Sequence, residues 1–211
     1  MVRKDIKEFL KTIPNNVEVV AATKYVDAND MRTLLINGIH NFGENRVDSF
    51  LEKHEKLKDE EGIVWHFIGH LQRNKAKNVI NKIDYLHSLD SIELAKIIDK
   101  YRTTPLDTFI EVSINLEENK NGIPYYELES FINNLKEYKN IHIVGLMMMA
   151  IKDSEDSYEQ FLKLSSLKKE MEEKCDIIIP YLSMGMSDDY LDALKAGATH
   201  IRLGRLLFEN I

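Results

Sequence analysis

The chain has 211 residues, 44% of them hydrophobic and 30% charged, with a formal net charge of -7. This is ordinary globular composition, long enough for one α/β core, and its acidic balance argues against a general binder of nucleic-acid backbone. The single cysteine, Cys175, excludes an intrachain disulfide and a cysteine-cluster metal site, and suits a reducing cytosol.

The start, Met1 to Lys7, has no apolar core of signal-peptide length, and nowhere do about 18 apolar residues run together. A protein of the cytoplasm without a membrane span is expected. Ile6, Phe9, Leu10 and Ile13 recur at helical spacing until Pro14 stops them. Val19 to Lys24 then reads as a strand, Met31, Leu34 and Leu35 as a helix closed by Gly38, and His40 to Gly43 as a short strand. Val47, Phe50, Leu51, His54 and Leu57 give the next helical stripe, followed by a strand over Val64 to Ile68. Ala76, Val79, Ile80 and Ile83 predict a helix, Tyr85 to Ser88 a strand, and Leu94, Ile97, Ile98 and Tyr101 a helix that Asp90 or Ser91 caps. A strand over Thr108 to Val112, a helix through Leu128 to Leu135 and a strand over Ile141 to Met147 continue the pattern. A long helix through Tyr158, Phe161, Leu164 and Met171 precedes a strand over Ile178 to Ser183. A short helix through Leu191 and Leu194, capped by Ser187 and ended by Gly197, leads to the last strand, His200 to Leu203.

Eight strands thus alternate with seven helices, which predicts a parallel sheet closed as a single (β/α)8 TIM barrel over residues 1–211. The opening helix, Val2 to Lys11, is expected to complete the outer ring. A doubly wound open sheet is the competing architecture.

In such a barrel chemistry collects at the C-terminal strand ends, with phosphate commonly held after strands seven and eight. The period of two puts Val20, Ala22 and Lys24 on one side, so Lys24 faces the core unless the strand has already ended. A desolvated lysine is a nucleophilic amine suited to a Schiff base. After strand seven, Ser183-Met184-Gly185-Met186-Ser187-Asp188-Asp189 offers hydroxyls and a helix start, either as a phosphate site or as an ordinary cap. In either case Asp188 and Asp189 should point away from a phosphate. After strand eight, Gly204 and Arg205 offer close approach and charge. Arg202 either faces the helices and reaches outward or faces the barrel and meets a ligand. His66 and His70 stand four apart on a strand and its loop, where they do not converge as metal ligands, so no metal site is expected. Met147, Met148 and Met149 read as adaptable core.

Ala22-Thr23-Lys24, His40 to Asn45, Trp65 to Lys75, His87-Ser88-Leu89-Asp90, Lys120-Asn121-Gly122-Ile123, Gly145-Leu146-Met147, Leu182 to Ser187 and Arg202-Leu203-Gly204 occur in order. Together they closely resemble the pyridoxal phosphate homeostasis protein family. The resemblance implies a barrel like the N-terminal domain of alanine racemase, with pyridoxal 5'-phosphate held as a Schiff base on Lys24. It places Ser183 and Gly204 at the phosphate, Arg202 at the pyridine nitrogen and Asn45 beside the cofactor. Arg205 stands where the family usually has threonine or serine, and binds phosphate through its amide and charge or points outward. The opening helix is short for the family. An arginine opposite the pyridine nitrogen weakens the electron sink, and no second domain supplies a second base. The implied role is storage or delivery of the cofactor by a monomer, with PLP-dependent apoenzymes as possible recipients and no catalytic residue assigned. A small amino-acid racemase or lyase, with Tyr25 or a loop histidine as second base, is the alternative.

Overall fold

Strands form where β-branched and aromatic residues cluster between turn signals: β1 (Glu18–Ala22), β2 (Asn41–Glu44), β3 (Val64–Phe67), β4 (Tyr85–Leu89), β5 (Leu106–Ser113), β6 (Ile141–Met147), β7 (Tyr181–Ser183) and β8 (His200–Leu203). The computed structural model describes residues 1–116, 121–151 and 156–209. All neighbouring strands pair in parallel; β1 pairs with β2 and β8, and β4 with β5, so the sheet closes as a (β/α)8 barrel. An extra two-residue strand, Ile123–Pro124, extends the sheet beside the end of β5.

The surrounding helices are α1 (Ile6–Leu10), α2 (Ala28–Ile36), α3 (Val47–Lys56), α4 (Arg73–Ala76), α5 (Ile92–Tyr101), α6 (Leu128–Leu135), α7 (Ser157–Cys175) and α8 (Tyr190–Lys195). Ser91 caps α5, its hydroxyl accepting the Leu94 N–H at 3.4 Å. The opening segment is shorter than expected as a helix, because Val2 instead bridges to Phe208 and the Arg3 N–H donates to the Leu207 carbonyl. The Phe9 ring meets Tyr190 edge-on at 6.2 Å, so α1 takes the outer-ring place beside α8. None of the described helices is long and apolar enough to cross a membrane.

Other boundaries differ from the sequence reading as well. The helix expected through Ile83 stops at Ala76, although Val79, Ile80 and Ile83 remain buried in the turns that follow. Strand β7 begins only at Tyr181, since Pro180 has no N–H to give a ladder and Ile178 points into solvent. Helix α8 starts from Asp189 and not from Ser187, which stays in the loop.

Alternate strand residues build two layers. Outward-facing Ala21, Phe42, Phe67, Leu86, Ile110 and Ile201 join the helix stripes in one large apolar cluster; each such large side chain contributes about 1.5–3 kcal/mol by burial. Among the described residues, Phe109, Val144 and Met147 form the apolar cluster of the inward layer. Phe109 enters the interior because Gly145 opposite has no Cβ; one there would sit 2.4 Å from the ring. The barrel interior also holds His66, His87, Ser183, His200 and Arg202, all buried. That polar filling departs from the branched aliphatic layers usual in this fold.

Candidate functional site

A cavity of about 340 Å³ opens at the C-terminal ends of β1 and β8. Register sets Val20 opposite Arg202 and Ala21 opposite Leu203, so the loops after these strands face each other. Lys24, Ser187, Asp188, Arg202, Gly204 and Arg205 line the cavity. The core-facing lysine expected from strand parity is not found, because β1 ends at Ala22 and leaves Lys24 exposed at the rim. Its Nζ lies 4.6 Å from the Tyr25 ring centroid.

Arg202 is 5% exposed and faces the barrel. Its Nη1 donates to Ser183 Oγ at 2.7 Å and its Nη2 to the Met148 carbonyl at 2.9 Å. Burial lowers its pKa to about 10, opposed at longer range by Glu111 and Asp189. Ser183 is therefore not a wall of the cavity. It is fully buried with its hydroxyl engaged by Arg202 and by His87, whose Nδ1 is 2.8 Å away. Ser187, four residues on, takes the lining place that the sequence reading gave to Ser183.

The loop after β7 is shaped by Gly185, at φ +90°, where a Cβ would strike Ala193 at 2.5 Å. Asp189 turns back to accept the Met186 N–H at 2.6 Å. Asp188, expected to point away, instead lines the cavity and ion-pairs with Arg205 across its rim. Gly204 leaves open space: a Cβ there would meet nothing nearer than Ala22 at 3.7 Å.

A buried polar collar holds the residue before Lys24. Glu44, fully buried, accepts from Lys53 Nζ at 2.6 Å, from Thr23 Oγ1 at 2.5 Å and from Ser49 Oγ at 2.9 Å. Lys53 also donates to the Thr23 carbonyl at 2.6 Å. The sequence reading overlooked Lys53. A lysine inside the apolar stripe of Val47, Phe50 and Leu57 was the available signal. Asn45, next in the chain, keeps its Oδ1 buried and, among the described residues, without a hydrogen-bond partner. Gly69, in the loop after β3, packs on its backbone so closely that a Cβ would lie 2.5 Å from the Asn45 carbonyl oxygen.

His66 and His70 go to different partners. His66 Nε2 meets Asn41 Oδ1 at 2.9 Å, and His70 Nδ1 meets Asp90 Oδ2 at 3.1 Å. Met147 and Met148 are buried, whereas Met149 is exposed. Lys120 lies outside the described residues.

Glu111 is 4% exposed, and burial, with Asp90 adding, raises its pKa to about 7. Its protonated form is the one the fold prefers, so stability falls as pH rises from its ordinary 4.5 through about 7. Glu111→Gln is expected to raise stability at pH 8 by up to about 3 kcal/mol and to leave it nearly unchanged at pH 4. Urea unfolding at both pH values checks this.

The family "Alanine racemase, N-terminal domain" matches residues 2–210. A pyridoxal phosphate homeostasis protein of Aquifex aeolicus (strain VF5) is 38% identical over 199 residues, covering 92% of this chain and 87% of the relative. One from Synechocystis sp. is 36% identical over 207 residues, covering 95% and 94%. PipY of Synechococcus elongatus PCC7942, solved with PLP bound, is 29% identical with a TM-score of 0.89, covering 97% of this chain and 100% of that one. An alanine racemase of Clostridium difficile 630, at 15% identity and TM-score 0.76, shares the fold over 100% of this chain and 58% of its own. Identity at this level along nearly the whole chain, on a barrel that follows its solved relative from end to end, means that the chain belongs to the pyridoxal phosphate homeostasis protein family.

Proposed function

We propose that the cavity binds pyridoxal 5'-phosphate and that the protein serves its homeostasis in the cytoplasm as a monomer, holding the cofactor for PLP-dependent apoenzymes. The observation that carries this reading is a solvent-reaching lysine amine in the same cavity as a buried guanidinium, Lys24 with Arg202.

The residues fit the group. Gly204 stands in the cavity wall with open space about it, and Asn45 Oδ1, outside that wall, is a buried acceptor with no donor among the described residues. Lys24 anchors, Arg202 meets the pyridine nitrogen, and Ser187, Gly204 and Arg205 receive the phosphate. When bound, the cofactor would supply an aldehyde carbon electrophilic toward the Lys24 amine.

Arg202 only donates hydrogen bonds. It therefore favours an unprotonated pyridine nitrogen, a weak electron sink. Tyr25 lies against Lys24 itself and His70 is tied to Asp90, so neither is placed as an independent second base. Holding without turnover is the reading these placements support.

Purified protein titrated with pyridoxal phosphate is expected to gain a visible absorption band that survives gel filtration; a protein that stays colourless overturns the reading. Incubation with single enantiomers of amino acids, followed by chiral analysis, is expected to give no turnover above free cofactor. Clear turnover supports the racemase alternative instead.

A further inference from the structure

A second cavity, about 410 Å³, opens at the opposite end of the barrel, with Glu18, Asn41, Tyr85 and Tyr181 in its wall. An unbroken run of hydrogen bonds crosses the interior from Arg202 to this cavity. Its direction is set at its two ends, where Arg202 can only donate and the Glu18 carboxylate can only accept. A guanidinium can only donate, so Ser183 Oγ accepts from Arg202 at 2.7 Å and gives its own hydrogen to His87 Nδ1 at 2.8 Å. A neutral His87 accepting at Nδ1 carries its proton on Nε2 and donates to His66 Nδ1 at 2.9 Å. His66 then carries its proton on Nε2 and donates to Asn41 Oδ1 at 2.9 Å. The Asn41 amide nitrogen donates in turn to Glu18 Oε2 at 2.8 Å.

Every link points the same way, from a buried cation to a carboxylate on the far face. Both imidazoles are fully buried, and burial, with the neighbouring imidazoles and, for His87, Arg202 adding, holds them well below the usual histidine range, so both are neutral. The reverse arrangement fails at Ser183 and at Asn41. The Ser183 hydrogen would lose the His87 acceptor in a dry interior, and the Asn41 amide, turned to donate to His66, would set its oxygen against the Glu18 carboxylate, both of them costly.

We propose that His66 and His87 are positioning residues of the Arg202 site, forming a one-way relay that fixes the Ser183 hydroxyl and, through it, the guanidinium, with its accepting end in the second cavity at Glu18. Only its ligand readout rests on the proposed contact of Arg202 with pyridoxal phosphate.

Imidazole nitrogen NMR of the unliganded full chain tests the relay directly. His66 and His87 are each expected as the pure Nε2–H form between pH 6 and 9, and Arg202→Met is expected to release both into tautomer mixtures. Mixed or Nδ1–H forms in the unaltered protein overturn the proposal. The second arm compares His87→Gln, whose amide can accept from Ser183 and donate to His66, with His87→Phe. Glutamine is expected to keep pyridoxal phosphate affinity within about threefold, and phenylalanine to lose about five- to tenfold, the scale of one net hydrogen bond. Equal affinity in the two folded variants contradicts positioning. Expected tautomers in a protein that binds no pyridoxal phosphate would leave the relay standing and reject the functional reading instead. Should His87→Phe fail to fold, the tautomers of the unaltered protein still decide.

Discussion

Lys53→Met is expected to destabilise the protein by about 3–5 kcal/mol, the usual cost of leaving one partner of a buried ion pair alone. Glu44 is fully buried, and Lys53 is the cation hydrogen-bonded to it. With methionine at 53, the carboxylate keeps only the Thr23 and Ser49 hydroxyls, and the Thr23 carbonyl loses its ammonium donor. Replacing both Glu44 and Lys53 by methionine is expected to recover most of the loss, because an apolar pair of similar volume leaves no uncompensated charge. Urea unfolding of the two variants at neutral pH measures both effects. A single variant as stable as the unaltered protein would overturn this reading of the pair. The collar also fixes the backbone one residue before Lys24, so the single variant is expected to bind pyridoxal phosphate more weakly as well.

Lys24→Ala is expected to abolish the visible band and the retention of pyridoxal phosphate through gel filtration. The side chain is exposed and touches chiefly the Tyr25 ring, so stability should change by no more than about 0.5 kcal/mol. Borohydride reduction followed by peptide mass analysis is expected to find one pyridoxyl group on Lys24 in the unaltered protein and none in the variant. A pyridoxyl group on a different lysine would move the anchor elsewhere. A reduced adduct carrying a substrate carbon chain would point to aldolase chemistry.

Strand and helix alternation made the barrel legible, because each element carries its own period and its own stop signal. Gly38 and Gly197, both at φ +94°, end their helices as the sequence suggests. The inner layer was harder to read. Strand parity alone could not say whether Arg202 faced helices or barrel, since both sides of a buried parallel strand are dry. The sequence reading put Ser183 at the phosphate and Ser187 at a helix cap, without the end of strand β7 at Ser183, which sets the first serine inside the barrel and the second in the loop. Lys24 pointed the right way, yet its burial depended on a strand end two residues earlier than the apolar run implied. The relay was invisible for a different reason: Asn41, His66, His87, Ser183 and Arg202 come from five strands, and only closure of the barrel brings them into one line.

The walls of the Lys24 cavity come from the loop after β1 and from the loops after β7 and β8. Strands β1 and β8 meet at the seam where the first and last strands of the barrel join. Contacts so distant in sequence form late and slowly, since loop-closure entropy precedes their reward. A chain still lacking β8 has half a cavity, so ligand retention reports completed folding and not merely local structure. By mass action, free ligand at a hundred times its dissociation constant adds about 2.7 kcal/mol to the closed state over the open one. Pyridoxal phosphate would thus act on this barrel as a clasp across its seam, making the protein's resistance to unfolding rise and fall with the supply of the compound it holds.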